Sequence, residues 1–186
     1  MVHPAQFWLP VLLSAVFVFL ASSVIHMALK WHNPDYRKLP NEDGVRAAIN
    51  LGSPAPGQYV LPHALDPRAM AEEEVARRWA EGPVALIWLK APGAPRMGGT
   101  LAGWFAFNVV LAFCLAYLAA HTLAPGSHYL QVFRVVGAAA FLAHAAGAVP
   151  GSIWMGKPWT VTLKEVLDGL IYALLTAGTF GWLWPK

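Results

Sequence analysis

Apolar residues fill four long windows of this chain, and polar residues gather mainly between the first window and the second. The windows cover residues 7–29, 101–123, 129–149 and 161–184. Each is near the roughly 20 residues that a helix rising 1.5 Å per residue needs to cross a hydrocarbon layer about 30 Å thick. The first window carries no charge and a single histidine, and the second is equally apolar. The third contains Arg134 and His144, and the fourth opens with Lys164, Glu165 and Asp168 in its first turns. The expected fold class is therefore mainly α and integral to a membrane: a four-transmembrane-helix bundle with a small cytoplasmic αβ insert between helices 1 and 2. The expected organisation is residues 1–30 as transmembrane helix 1, residues 31–98 as the insert and residues 99–186 as transmembrane helices 2–4.

Within the insert the pattern changes to short elements. "LPNEDGVRAAINLG" offers Asn41 as a helix cap, acids in the first turn and Gly52 as a stop. "GQYVLPH" and "PVALIWLKAP" have the composition of short strands bounded by proline and glycine. Between them, "DPRAMAEEEVARRWAEG" places Asp66 as cap and Pro67 at the first helical position. Glu73–Arg77 and Glu74–Arg78 are spaced to support that helix. The expectation is a strand–helix–strand piece; no internal repeat is visible.

Composition strengthens the membrane assignment. The chain is 57% hydrophobic and 12% charged, against about 25% charged in soluble domains. Too little polar surface remains to cover a water-soluble globule of 186 residues. The net charge of +3 is modest and forms no basic stripe interleaved with aromatics, which argues against nucleic acid as a partner. The lone cysteine, Cys114, excludes an internal disulfide and reads as a small core or lipid-facing residue.

Lysine and arginine set the expected orientation. Residues 31–98 and the connection around Lys157 carry nearly all of them, whereas the amino terminus and the loop "APGSH" carry none. Both termini are expected outside, in the periplasm of a bacterial inner membrane, with residues 31–98 in the cytoplasm. The leader "MVHPAQ" has no basic residue and the apolar run behind it exceeds a signal-peptide core, so the first segment reads as an anchor. Trp31, Trp104, Trp154, Trp159, Trp182 and Trp184 fall near segment ends, at headgroup level. Trp31, Trp154, Lys157 and Trp159 are the expected interface anchors.

Ionisable groups at membrane depth are costly and mark the candidate chemistry. With this topology His26, His144 and Asp168 all fall in the cytoplasmic third of the bilayer, where Tyr172 and Asn108 can extend the cluster. Three uses suit such a set. A His–Asp hydrogen bond glues helices together; paired His and Asp carry a proton or solute; or His26 and His144 ligate haem b from two helices. His32 is expected to lie wet at the membrane exit with Lys30, Arg37 and Lys38. His32, Asp35 and His63 match no defensible metal-ligand spacing with His26, so no metal is assigned. Thr162 and Glu165 fit a capping box, and Lys164 is free to snorkel. Gly99, Gly103 and "GAAAFLAHAAGA" permit close helix contact.

No nucleophile elbow, zinc-protease helix, dinucleotide fingerprint or Walker loop is present, the last despite "WMGKPW". The expected function is therefore non-enzymatic: an accessory or assembly subunit of a larger membrane complex, partnered by the lipid bilayer and by other subunits or further copies of itself. The alternatives are an oligomeric transporter or channel using the His/Asp cluster, and a haem- or quinone-binding redox protein.

Overall fold

The structure is a computed structural model, and it describes residues 4–64 and 66–186. It is mainly helical. In chain order the elements are α1 (Trp8–Ser23), α2 (Glu42–Leu51), β1 (Gly57–Leu61), α3 (Pro67–Ala71), α4 (Glu73–Glu81), β2 (Ala85–Leu89), α5 (Met97–Thr122), α6 (Tyr129–Ala145), α7 (Val149–Trp154) and α8 (Trp159–Trp182). α1 runs on through a π-helical segment, Val24–Leu29, and a 3-10 turn at Ala146–Ala148 joins α6 to α7.

Three helical stretches among the described residues are long and apolar enough to cross a membrane: Trp8–Leu29, Met97–Thr122 and Tyr129–Trp154. Large apolar side chains such as Leu20, Val110, Phe113 and Leu142 are exposed along them, as a lipid environment requires. The chain is an integral membrane protein. Cys114 is also exposed, on α5.

The chain forms two compact units, one of residues Met1–Arg37 with Arg96–Lys186, the other Lys38–Pro95. Residues 31–37 thus belong with the long helices, because their side chains bond to α8, as described below. In the helical unit α6 packs most extensively on α8, while α1 packs on both α8 and α5. The α6–α8 contact depends on absent side chains. A Cβ on Gly169 would meet Ala145 at 2.8 Å from its Cβ and 3.0 Å from its backbone, and one on Gly137 would lie 3.2 Å from the Ala177 Cβ. Small residues let backbones approach where lipid supplies no hydrophobic drive between helices. Gly99 and Gly103 have nothing within 4 Å of a built Cβ, so the contact expected there is not made within this chain.

In the second unit β1 and β2 pair antiparallel, Gly57 opposite Leu89 and Leu61 opposite Ala85. Asn41 caps α2 by accepting from the Gly44 amide at 3.3 Å, and Asp66 caps α3 by accepting from the Ala69 amide at 2.7 Å. The expected long helix from Pro67 is two helices, broken where Glu72 turns extended at φ −63°, ψ 133°. Arg77 consequently pairs with Glu74 and Glu81 rather than with Glu73.

The capping box expected at the start of α8 is also replaced. The helix begins at Trp159 instead of beside a Thr162–Glu165 box. Thr162 is already inside it and meets the Ser152 hydroxyl at 2.5 Å, while Glu165 pairs with Lys157. Of the tryptophans, Trp154, Trp159 and Trp182 are exposed as anchors should be. Trp31 packs against the cluster formed by Val18, Ile25 and Tyr172, and Trp184 is buried against Phe7 with ring centroids 5.2 Å apart.

Candidate functional site

The site lies where α1 ends. The π-helical segment places His26 on the side facing α8, and π-helical turns are frequent at functional positions. Lys30, at φ 52°, takes the left-handed conformation that stops the helix. The chain then curls through a 3-10 turn at Asn33–Asp35, held by Asn33 N–H to the Lys30 carbonyl and Asp35 N–H to the His32 carbonyl, both 3.0 Å. This short hook returns His32 beside His26. Their rings stack with centroids 4.9 Å apart and planes 11° from parallel.

α8 supplies the other half. Its buried stripe runs Thr162, Asp168, Gly169, Tyr172, Ala173, Thr176 at helical spacing, so Asp168 points inward and is only 4% exposed. His32 Nε2 bonds to Asp168 Oδ2 at 2.8 Å, and His32 Nδ1 bonds to Asp35 Oδ2 at 2.9 Å. Lys164, one turn before Asp168, donates to Asp35 Oδ1 at 2.5 Å and to the Trp31 carbonyl at 2.9 Å. The result is a row of alternating basic and acidic side chains: Lys164, Asp35, His32, Asp168. The Lys164 hydrogen bond holds the Asp35 carboxyl below its ordinary range, outweighing the desolvation that acts the other way, with His32 adding to it.

His32 was expected to be solvated, yet its side chain is 14% exposed, against 52% for His26. Lys164 does not snorkel into solvent. The sequence signal for both was the His-x-x-Asp spacing of His32 and Asp35, which a 3-10 turn brings onto one edge. Its importance depended on α8, more than a hundred residues away.

The other expected members of the cluster sit around this core. His26 Nε2 is 4.0 Å from Asp168 Oδ2, and its Nδ1 donates to the Ser22 carbonyl at 2.9 Å. His144 packs edge-on against the Tyr172 ring, centroids 5.5 Å apart, so the structure engages His26 with His32 and Asp168, and His144 with Tyr172. Asn108 is buried and donates to the Trp104 carbonyl at 2.8 Å. Trp104 in turn donates to the Ser22 hydroxyl at 2.8 Å. His63 lies exposed in the other compact unit.

Beside this network is a cavity of about 490 Å³. Leu101, Trp104 and Ala148 supply apolar wall, and His26, His144, Glu165, Asp168 and Tyr172 supply polar groups. Met27 and Met97, both exposed, also line it, one from the end of the first long helix and one from the start of α5. Asp168 Oδ1 and the Tyr172 hydroxyl are buried without a hydrogen-bond partner. Such atoms are exceptional in folded proteins, where buried polar groups are nearly always satisfied. Both residues line the cavity, where these atoms are one unpartnered acceptor and one unpartnered donor just behind its surface.

No protein-family model, curated protein or solved structure matches the chain, so function rests on this geometry.

Proposed function

We propose that this chain is a four-span, non-enzymatic membrane subunit that holds a lipid-soluble, ring-headed molecule of the quinone class in the cavity bounded by α1, α5, α6 and α8. The observation carrying this reading is the pair of buried, unpartnered atoms, Asp168 Oδ1 and Tyr172 Oη, at the wall of a largely apolar pocket. A quinol hydroxyl would donate to the Asp168 carboxylate, and a quinone carbonyl would accept from Tyr172. The volume suits a small-molecule site, for which 300–1,000 Å³ is usual. An opening flanked by Met27 and Met97 admits a ligand from the lipid.

In this proposal α8 is the fourth span. Its charges near the start are absorbed by Asp35, Trp31 and Lys157, as intramembrane charges require. The proposed orientation, with both termini outside in the bacterial periplasm and the αβ insert in the cytoplasm, is supported by the distribution of lysine and arginine.

The accessory-subunit part of the proposal draws on a different observation. Among the described residues of Lys38–Pro95 none is buried, and Leu51, Val84 and Trp88 are exposed. A unit with so little core is suited to being covered by a partner.

The ligand test uses the purified protein in detergent with a short-chain benzoquinone, read by quenching of tryptophan fluorescence. Saturable quenching is expected, weakened about tenfold in Tyr172→Phe, the loss of roughly one good hydrogen bond, and abolished when Leu101→Trp fills the pocket. Quenching that never saturates, or that is equal in all three proteins, overturns the proposal.

A further inference from the structure

We propose that His26, His32 and Asp168 bind one divalent transition-metal ion at the mouth of the cavity. Their ligand atoms all lie within 4.8 Å of one another. A four-coordinate ion about 2.0–2.2 Å from each donor sets those donors roughly 3.4 Å apart. The observed separations straddle that value. His32 Nε2 stands 2.8 Å from Asp168 Oδ2 and His26 Nε2 stands 4.0 Å from it. Shifts of about half an ångström in each of these two separations, together with a turn of the exposed His26 ring out of its stack on His32, bring the three donors onto one ion.

The surroundings prepare the ligands rather than merely collecting them. Metal-bound imidazoles characteristically donate their second N–H to a carboxylate or a backbone carbonyl, which fixes the tautomer and aims the other nitrogen. Both histidines have that arrangement. His26 Nδ1–H donates to the Ser22 carbonyl and His32 Nδ1–H donates to Asp35, which Lys164 holds from its far side. Each Nε2 is thereby left on the Asp168 side, 4.0 Å and 2.8 Å from the same carboxylate oxygen. In the metal-free arrangement a proton occupies the short contact between His32 and Asp168. The ion takes its place, and that proton leaves to solvent.

A second observation points to a ligand independently of the cluster. Asp168 is 4% exposed and lines the cavity with Oδ1 unpartnered. That oxygen, or a water in the cavity, is available to complete the coordination. Two imidazole nitrogens and one carboxylate favour zinc or iron(II) over magnesium or calcium, which prefer oxygen throughout.

This inference shares Asp168 with the proposed quinone site but is tested apart from it. The ligand test varies Tyr172 and Leu101, which leaves all three metal donors in place, so either result can fail alone. The experiment takes the full chain in detergent, with any affinity tag removed and stripped by a chelator. Zn²⁺ affinity is measured by competition with a chromophoric chelator, and Co²⁺ is added as a spectroscopic probe. The expected result is one equivalent bound, an intense visible Co²⁺ band of tetrahedral coordination, and no displacement by excess Mg²⁺. His26→Ala is the informative variant, because its ring is half exposed and donates only within its own helix. It should retain helix content and elution volume while weakening Zn²⁺ at least tenfold. Asp35→Asn, a positioning change, should weaken it about 10–100-fold. Failure of the native protein to bind Zn²⁺ stoichiometrically, or binding indifferent to His26→Ala and Asp168→Asn, overturns the proposal.

Discussion

His32 and Asp168 are 136 positions apart in the chain and 2.8 Å apart in space. That contact ties the residues just beyond α1 to the third turn of α8, and it does so among side chains mostly removed from solvent. Removing one partner leaves the other as an uncompensated buried charge. His32→Ala should therefore destabilise the protein by about 3 kcal/mol. Asp168→Asn keeps an acceptor for His32 and should cost about 1 kcal/mol. Thermal unfolding in detergent measures both, and equal, negligible shifts would show that the contact contributes little.

Tyr172→Phe should move stability and binding in opposite directions. The hydroxyl is buried without a partner, so its removal relieves a desolvation penalty of about 1 kcal/mol in the ligand-free protein. The same change takes away the proposed donor to the ligand. A variant that melts higher and binds the quinone probe more weakly is the expected combination. If it melts lower, the hydroxyl has a partner in solution.

Gly169→Ala should separate α6 from α8. Its methyl would meet the Ala145 backbone at 3.0 Å, where no flexible side chain can yield. Overpacking of this kind costs about 1–3 kcal/mol. Gly103→Ala is the control, with open space at that position, and should unfold as the native protein does. Denaturant titrations followed by helix content compare the two.

Acidification should loosen α4 through Glu74. Arg77 and Arg78 donate to this carboxylate and hold it below its ordinary value of 4.5. A folded value below the unfolded one means the contribution is complete above 4.5 and is lost as pH falls through the folded value. Amide exchange across Glu73–Glu81, corrected for its intrinsic pH dependence, should show protection declining below that point. Glu74→Gln should abolish the dependence.

Much of this architecture was legible from local chemistry alone. Apolar runs of spanning length, the Asn41 and Asp66 caps and the two short strands follow from composition and spacing, because each depends on neighbours a few residues away. The break at Glu72 was hidden, since "EEEVARRW" continues a helical pattern across it. His26 and Asp168 stood out because ionisable groups at that depth need partners. His32 did not, because nothing in "KWHNPDYRK" distinguishes a solvated exit from a hook folded back on a helix.

What the sequence determined by itself is the solvent: too few charges and too many long apolar windows for anything but a membrane, with polar chemistry confined to a few positions. What only the tertiary structure decided is which of those positions meet. Hydrogen bonds act over about 3 Å, so the row Lys164–Asp35–His32–Asp168 exists only once α8 lies against the end of α1. Sequence spacing encodes contacts along one helix, but the pairing of a hook with a distant helix is set by packing. There, glycines at the α6–α8 contact fix where Asp168 stands.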